Sequence, residues 1–397
     1  MSENQLSQNL SRVQRFAFLI GLAGIALMGV GFTIDSEQFY RSYLIGYLYW
    51  LAPTLGSLGL ILLHTMTGGA WGFAIHRLLE ASMRNIGWMA LLFAPILLGV
   101  PALYEWSHPE VVAEDPILQH KSLYLNRSFF SVRAVVFFGV WIFFTTAMLR
   151  LQARYDRRMD VKALRTMKTV SGLGLGLYIL TMSFAAFDWG MSLEPHWFST
   201  IYGVLFVIGQ GLSTLCMSVF IASRIARYEP FSRWISKNHF HDLGNLVMAF
   251  VMLWAYVSFS QFLIIWSGNL PEETPWYLAR IGHGWQGIAL FLVVFHFAVP
   301  FLILVNRRVK RSMGFLSKLC LFLFVLRFVE IFWLIKPAFL HHGHGHSHFA
   351  IHWMDVVAPL AIGGLWLGSF LRNLRGRPLV SLQDAKLLGE LEEAPSS

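Results

Sequence analysis

Ten long apolar runs divide this chain, and the stretches between them alternate in charge. The runs lie at roughly 15–34, 43–66, 86–104, 129–150, 169–188, 199–223, 243–267, 283–305, 317–338 and 353–371. A helix needs about 20 mostly apolar residues to cross a bilayer. The pattern therefore predicts an all-α polytopic membrane protein with ten transmembrane helices. Spans 2–5 and 6–9 are expected as two four-helix bundles, flanked by spans 1 and 10, although no repeat is demonstrable in the residues themselves. Arg12/Arg15, His76/Arg77/Arg84, Arg154–Lys168, Arg224–Lys237, Arg307–Lys318 and Arg372–Arg377 fall on one side. Asp35–Arg41, Glu105–Lys121, Glu194, Glu272/Glu273 and a histidine-rich loop fall on the other. The excess of Lys and Arg on one side places both termini in the cytoplasm.

Finer signals fill in the frame. Residues 1–377 read as one transmembrane domain and 378–397 as a polar cytoplasmic tail. Arg12 and Arg15 precede the first run with no small-residue cleavage site after it, so that run is expected to stay as a membrane helix rather than leave as a signal peptide. Pro53, Pro95, Pro300 and Pro359 lie inside spans and are expected to kink them. The segment FAIHRLLEASM (73–83) reads as a short interfacial helix on the cytoplasmic side. Trp and Tyr crowd the span ends, as interface anchors do.

Composition sharpens the class. Of 397 residues, 56% are hydrophobic and 13% are charged, against about 25% charged in soluble domains. The net charge of +9 does not point to nucleic acid, because the basic residues are confined to short loops. Cys216 and Cys320 stand alone in apolar runs. They offer neither an iron–sulfur ligand set nor a CxxCH haem attachment.

Polar groups within or at the edge of spans are the candidate chemistry, because each charge there costs at least ~2.5–3.5 kcal/mol at mid-helix. Arg327 and Glu330 in span 9 are three positions apart and share a helix face. They form either a structural ion pair or a proton carrier tuned by its neighbour. Asp188 sits two turns from Thr181, with Tyr178 close to that face. It is either an anchor of the outer loop or the outer mouth of a proton path. Glu194 and His196 follow in the loop and are placed to release protons outside. Asn245, Tyr256 and Ser260 form a stripe on span 7, with Gln261 adjacent and His239, His241 and Asp242 at its entrance. That stripe either holds water or bonds to a neighbouring helix. His64 ends a stripe of Tyr47, Thr54 and Ser57 in span 2 and is able to titrate near neutral pH. His296 in span 8 has weaker company. His341, His342, His344 and His346, with His348 and His352, form an alternating run that can bind a transition metal, though nothing nearby defines a geometry.

Several stretches together resemble the ActF subunit of bacterial alternative complex III, within the NrfD-like family. They are HTMTGGAWG (64–72), DWGMSLEPHWFSTIYG (188–203), AYVSFSQFLIIWSGNLPEETPWYLAR (255–280), HFAVPFLILVNRRVKR (296–311) and HWMDVVAPLAIGGLWL (352–367), and they cover spans 2 to 10. The resemblance implies a subunit of a quinol:electron-acceptor oxidoreductase in a bacterial inner membrane. It implies partners: a multihaem cytochrome, an iron–sulfur subunit, an ActC-type membrane subunit and a monohaem cytochrome, with haem c and iron–sulfur clusters in those partners. It implies no redox cofactor in this chain, room for a quinone, and proton-conducting polar chains. The chain alone is then not expected to be catalytic. Two other classes remain: a secondary transporter that uses acids in kinked spans, and a passive anchor whose polar residues only pack helices.

Overall fold

The computed structural model describes residues 3–158, 160–229, 231–340 and 349–375. Among them every regular element is helical. The order is α1 (Glu3–Ile34), α2 (Ser36–Thr67), α3 (Ala70–Met83), α4 (Ile86–Leu91), α5 (Ala94–Leu98), α6 (Val100–Leu103), α7 (Pro109–Glu114), α8 (Pro116–Lys121), α9 (Arg127–Arg158) and α10 (Val161–Trp189). There follow α11 (Ile201–Ile225), α12 (Phe231–Trp234), α13 (Lys237–Gly268), α14 (Thr274–Ile281), α15 (Trp285–Leu292), a π-helix (Val293–Ala298), α16 (Val299–Val305), α17 (Arg307–Arg311), α18 (Met313–Ile335) and α19 (Trp353–Arg375).

Among the described residues, nine segments are long and apolar enough to cross a membrane, so this is an all-α, multi-pass membrane protein. The tenth expected run is present as α18. Its 23 residues span about 34 Å at 1.5 Å per residue, but Lys318, Arg327 and Glu330 keep it out of the apolar class. The expected tail at 378–397 and the histidines at 341, 342, 344 and 346 lie outside the described residues.

α2 is the hub of the fold. Its most apolar window is 94% buried, and it packs on α3, α10, α11, α18 and α19. One group of helices (α2 to α6, α9, α10) meets a second (α11, α13, α15 to α16, α18) along the α2–α11 contact. α1 lies outside both and packs chiefly along α19. Small residues permit that approach, because lipid leaves helix association to close packing. A Cβ added to Gly24 would stand 2.7 Å from the Ala361 backbone.

Two local expectations change. Residues 73–83 do not lie on the surface. α3 is buried almost throughout, because its polar positions are satisfied inside the protein. Arg77 grips Glu80 through Nη1 at 3.0 Å and Asp156 through Nη2 at 2.7 Å. The turn into α3 uses Gly68 and Gly69 at φ 69° and 102°, a region that favours glycine. The prolines also divide. α2 and α19 continue through Pro53 and Pro359, Pro95 opens α5 after a turn, and Pro300 stands in the first turn of α16, which continues directly from the π-helix. The Pro53 carbonyl accepts from Ser57 and Ser82 hydroxyls at 2.6 and 2.8 Å.

Candidate functional site: a buried polar belt

The spacing of Arg327 and Glu330 does put them on one face of α18, and the two side chains form an ion pair. Both are buried, at 2% and 1% exposure. Two partners come from other helices. Trp254 of α13 donates its indole N–H to Glu330 Oε1 at 2.7 Å. His296 of the π-helix brings Nε2 to 3.6 Å from Glu330 Oε2, and its ring centroid lies 4.2 Å from that of Trp254. The Arg327 guanidinium rests against Gly209 of α11, where any side chain would collide with it.

The next residue, Gln210, continues the belt. It accepts a 2.7 Å hydrogen bond from the buried Tyr178 hydroxyl of α10. Tyr178 in turn packs on Gly59 of α2. Tyr178 with Gln210, and Arg327 with Glu330, Trp254 and His296, are thus two buried polar groups that meet at neighbouring positions 209 and 210 of α11. One turn beyond Glu330, the Leu334 carbonyl accepts Arg280 Nη2 at 2.8 Å. The same nitrogen holds Glu194 Oε2 at 2.6 Å, while Arg280 Nη1 reaches Glu194 Oε1 at 3.3 Å. Arg280 is 1% exposed and stacks on Trp276 at 3.7 Å. Glu194 keeps some solvent contact, with a side-chain exposure of 17%. Polar groups thus step from the belt toward the acidic-loop end of the bundle.

Asp188 stands apart from Tyr178 and Thr181. It is fully buried, with Oδ2 taking Arg133 Nε at 2.7 Å. Arg133 also stacks on Tyr124 at 3.8 Å. Thr181 instead accepts the Trp141 indole N–H at 2.9 Å. The three residues share a helix but face different neighbours.

At the basic end, His64 meets the Gly69 carbonyl at 3.0 Å and lies 6.1 Å, ring to ring, from His76. His76 sits 3.4 Å from Glu80. Asp242 is half exposed beside His241 at 3.3 Å. Asn245 accepts Lys310 Nζ at 2.6 Å. Tyr256 does not join an interior stripe. It is 70% exposed, and Ser260 lies on the same flank. The reason is that α13 is only 28% buried along its most apolar window, and among the described residues no helix covers Tyr256.

Sequence reasoning missed two constellations. Asp355 takes Lys336 Nζ at 3.0 Å, the Ser42 hydroxyl at 2.6 Å, Gln38 at 3.1 Å and the His352 amide at 2.9 Å. An acid in the first turn of a span was the available signal. The second is the cluster of Glu80, Arg77, Asp156 and Gln152, hidden because residues 73–83 read as a surface helix. Among the described residues no group of three or more His, Cys, Asp or Glu is placed to hold a metal. The apolar cleft of about 410 Å³ lined by Ile25, Phe32, Tyr40, Tyr43 and Leu365 contains no charged side chain. The Tyr43 hydroxyl there is already donated to the Leu92 carbonyl at 2.7 Å.

Asp115, between α7 and α8, brings Oδ2 to 2.5 Å from Nε2 of His196 in the loop between α10 and α11. Desolvation pushes the Asp115 carboxyl up. The hydrogen bond from His196 and those from the Leu118 and Ile117 amides outweigh it and leave Asp115 below its ordinary value. A depressed carboxylate pKa contributes stability above the unfolded value of ~3.9 and loses it as pH falls through the lower folded value. His196→Ala is therefore expected to raise the Asp115 midpoint, read as the carboxylate infrared band of labelled aspartate. An unmoved midpoint would mean that the contact carries no electrostatic weight.

No protein-family model matches the chain, and no curated protein matches it at a significant level.

Proposed function

We propose that this chain is a cofactor-free membrane subunit of a quinol:electron-acceptor oxidoreductase of the alternative complex III type, and that its task is to move protons. The observation that carries the reading is the buried Glu330, paired with Arg327 and approached by His296. An ionisable group held at such cost inside a span points to ion or proton movement. The stretches at 188–203 and 255–280, which resemble ActF-type subunits, hold Glu194 and Arg280, the groups next in line from Glu330. Electrons would pass through haem c and iron–sulfur clusters in the partner subunits, and both termini would lie in the cytoplasm of a bacterial inner membrane. Quinol would be oxidised mainly in the companion ActC-type subunit. The apolar cleft here suits a lipid or isoprenoid tail better than a quinone head, because no charged side chain lines it.

Glu330→Gln tests this. In vesicles carrying the complex, proton release per quinol oxidised should fall while electron transfer continues. Unchanged electron transfer with unchanged stoichiometry would remove Glu330 from any path.

The passive-anchor reading has its own support. Asp188 and Glu194 are each locked to an arginine, as structural ion pairs are. If Asp188→Asn, Glu194→Gln and Glu330→Gln all leave proton release untouched, the chain is an anchor.

A further inference from the structure

His296 is an anomaly that the proton reading does not by itself require. It is 0% exposed, yet neither ring nitrogen has a hydrogen-bond partner among the described residues. A buried polar group left unpaired costs about 1–3 kcal/mol, and an apolar residue would avoid that cost. The residue also sits in the six-residue π-helix Val293–Ala298, and π-bulges occur frequently at functional sites. Pro300 follows and cannot donate a backbone N–H, so this stretch is the least regular part of its span.

The surroundings give the two nitrogens different neighbours. Nε2 faces Glu330 Oε2 at 3.6 Å, just beyond hydrogen-bond length, so a small rotation closes the gap. Nδ1 is buried and open. From α13 the ring meets Trp254, whose indole N–H fixes the other Glu330 oxygen. From α18 it meets Glu330 and the charge of Arg327.

We propose that His296 is a relay that loads Glu330 with a proton through a water molecule held at Nδ1, which deepens the proton-moving reading and rests on it. In the step, Nδ1 takes a proton from protonated water and the Nε2–H bond breaks toward Glu330 Oε2, forming a carboxylic acid. The imidazole ends neutral as its other tautomer, a change its two distinct nitrogens permit. A ring rotation or a second proton exchange resets it. Arg327 keeps its charge throughout and holds Glu330 ionised between transfers.

The test uses the protein purified in mild detergent with the subunits it retains. Infrared difference spectra after a pH jump should show a protonated-carboxyl band that Glu330→Gln abolishes. In His296→Phe that band should rise on the order of 100-fold more slowly, the scale of a lost positioned acid–base group. The thermal midpoint should hold or increase, because an unpaired polar ring has been replaced. His296→Gln, which keeps polarity but cannot relay, should be equally slow. A band that rises at the wild-type rate in both variants, or no band sensitive to Glu330→Gln, overturns the relay. Failure of the function reading looks different: the band and its His296 dependence persist while proton release per quinol is unaffected by Glu330→Gln.

Discussion

Arg327→Leu should destabilise the protein by about 3–5 kcal/mol, the cost of stranding one partner of a buried ion pair. Glu330 has no second cation within reach among the described residues. Its only other contacts there are the Trp254 indole at 2.7 Å and His296 at 3.6 Å. The double replacement Arg327→Leu with Glu330→Leu should recover most of that loss, because removing both charges also removes the desolvation penalty. Gly209 leaves room for a leucine where the guanidinium now lies. Thermal midpoints of the three variants in detergent decide the matter. If the double variant is as unstable as the single one, the pair contributes through packing rather than charge.

Asp355→Leu should cost a similar amount, about 3–5 kcal/mol, for a related reason. Lys336 is 4% exposed and among the described residues would keep the Gln38 amide oxygen at 3.3 Å as its one hydrogen-bond partner. Ser42 would lose its acceptor, and the His352 amide at the start of α19 would lose its cap. Asp355 thereby fastens α2, the end of α18 and the start of α19 at one point. Asp355→Asn keeps an acceptor oxygen and should lose only about 1–3 kcal/mol. Protease sensitivity near residue 350, followed beside the thermal midpoint, separates the two variants. Equal losses would mean that the charge on Asp355 is unimportant.

The acids at this protein's membrane edges do not form one set. Asp188 and Glu194 each face an arginine that is itself held by carbonyls: Tyr124 O for Arg133, Trp276 O and Leu334 O for Arg280. Glu330 is different, because beside its arginine stands an imidazole with no hydrogen-bond partner on either nitrogen among the described residues. That contrast makes Glu330 the acid best placed to gain and lose a proton. Glu194 lies one turn of α18 away through Arg280 and keeps some solvent contact.

Much of the fold was legible along the chain, and the site was legible only in part. The Arg327–Glu330 pair was readable because three residues on a helix share a face. Tyr178 and Thr181 were also close in sequence, yet periodicity assigned them to Asp188 and the structure gives them Gln210 and Trp141. The stripe of Tyr256 and Ser260 had the right spacing on a helix whose outer face no neighbour covers. A residue's angle around its own helix is local information; which helix stands opposite is not.

The sequence by itself determined that the chain crosses a membrane many times, where each apolar run lies, and that acids and cations are held inside them. Those properties follow from hydropathy over about 20 residues, a span short enough to read in one window. Only the tertiary structure decided which partner each charge meets: Arg133 with Asp188 across 55 residues, Trp254 with Glu330 across 76, Arg280 with Glu194 across 86, Ser42 with Asp355 across 313. In lipid a buried charge must find its partner on another helix or on its own next turn. The packing of α2 against α11 and α18 made that choice, and it left His296 beside Glu330 with both nitrogens unclaimed.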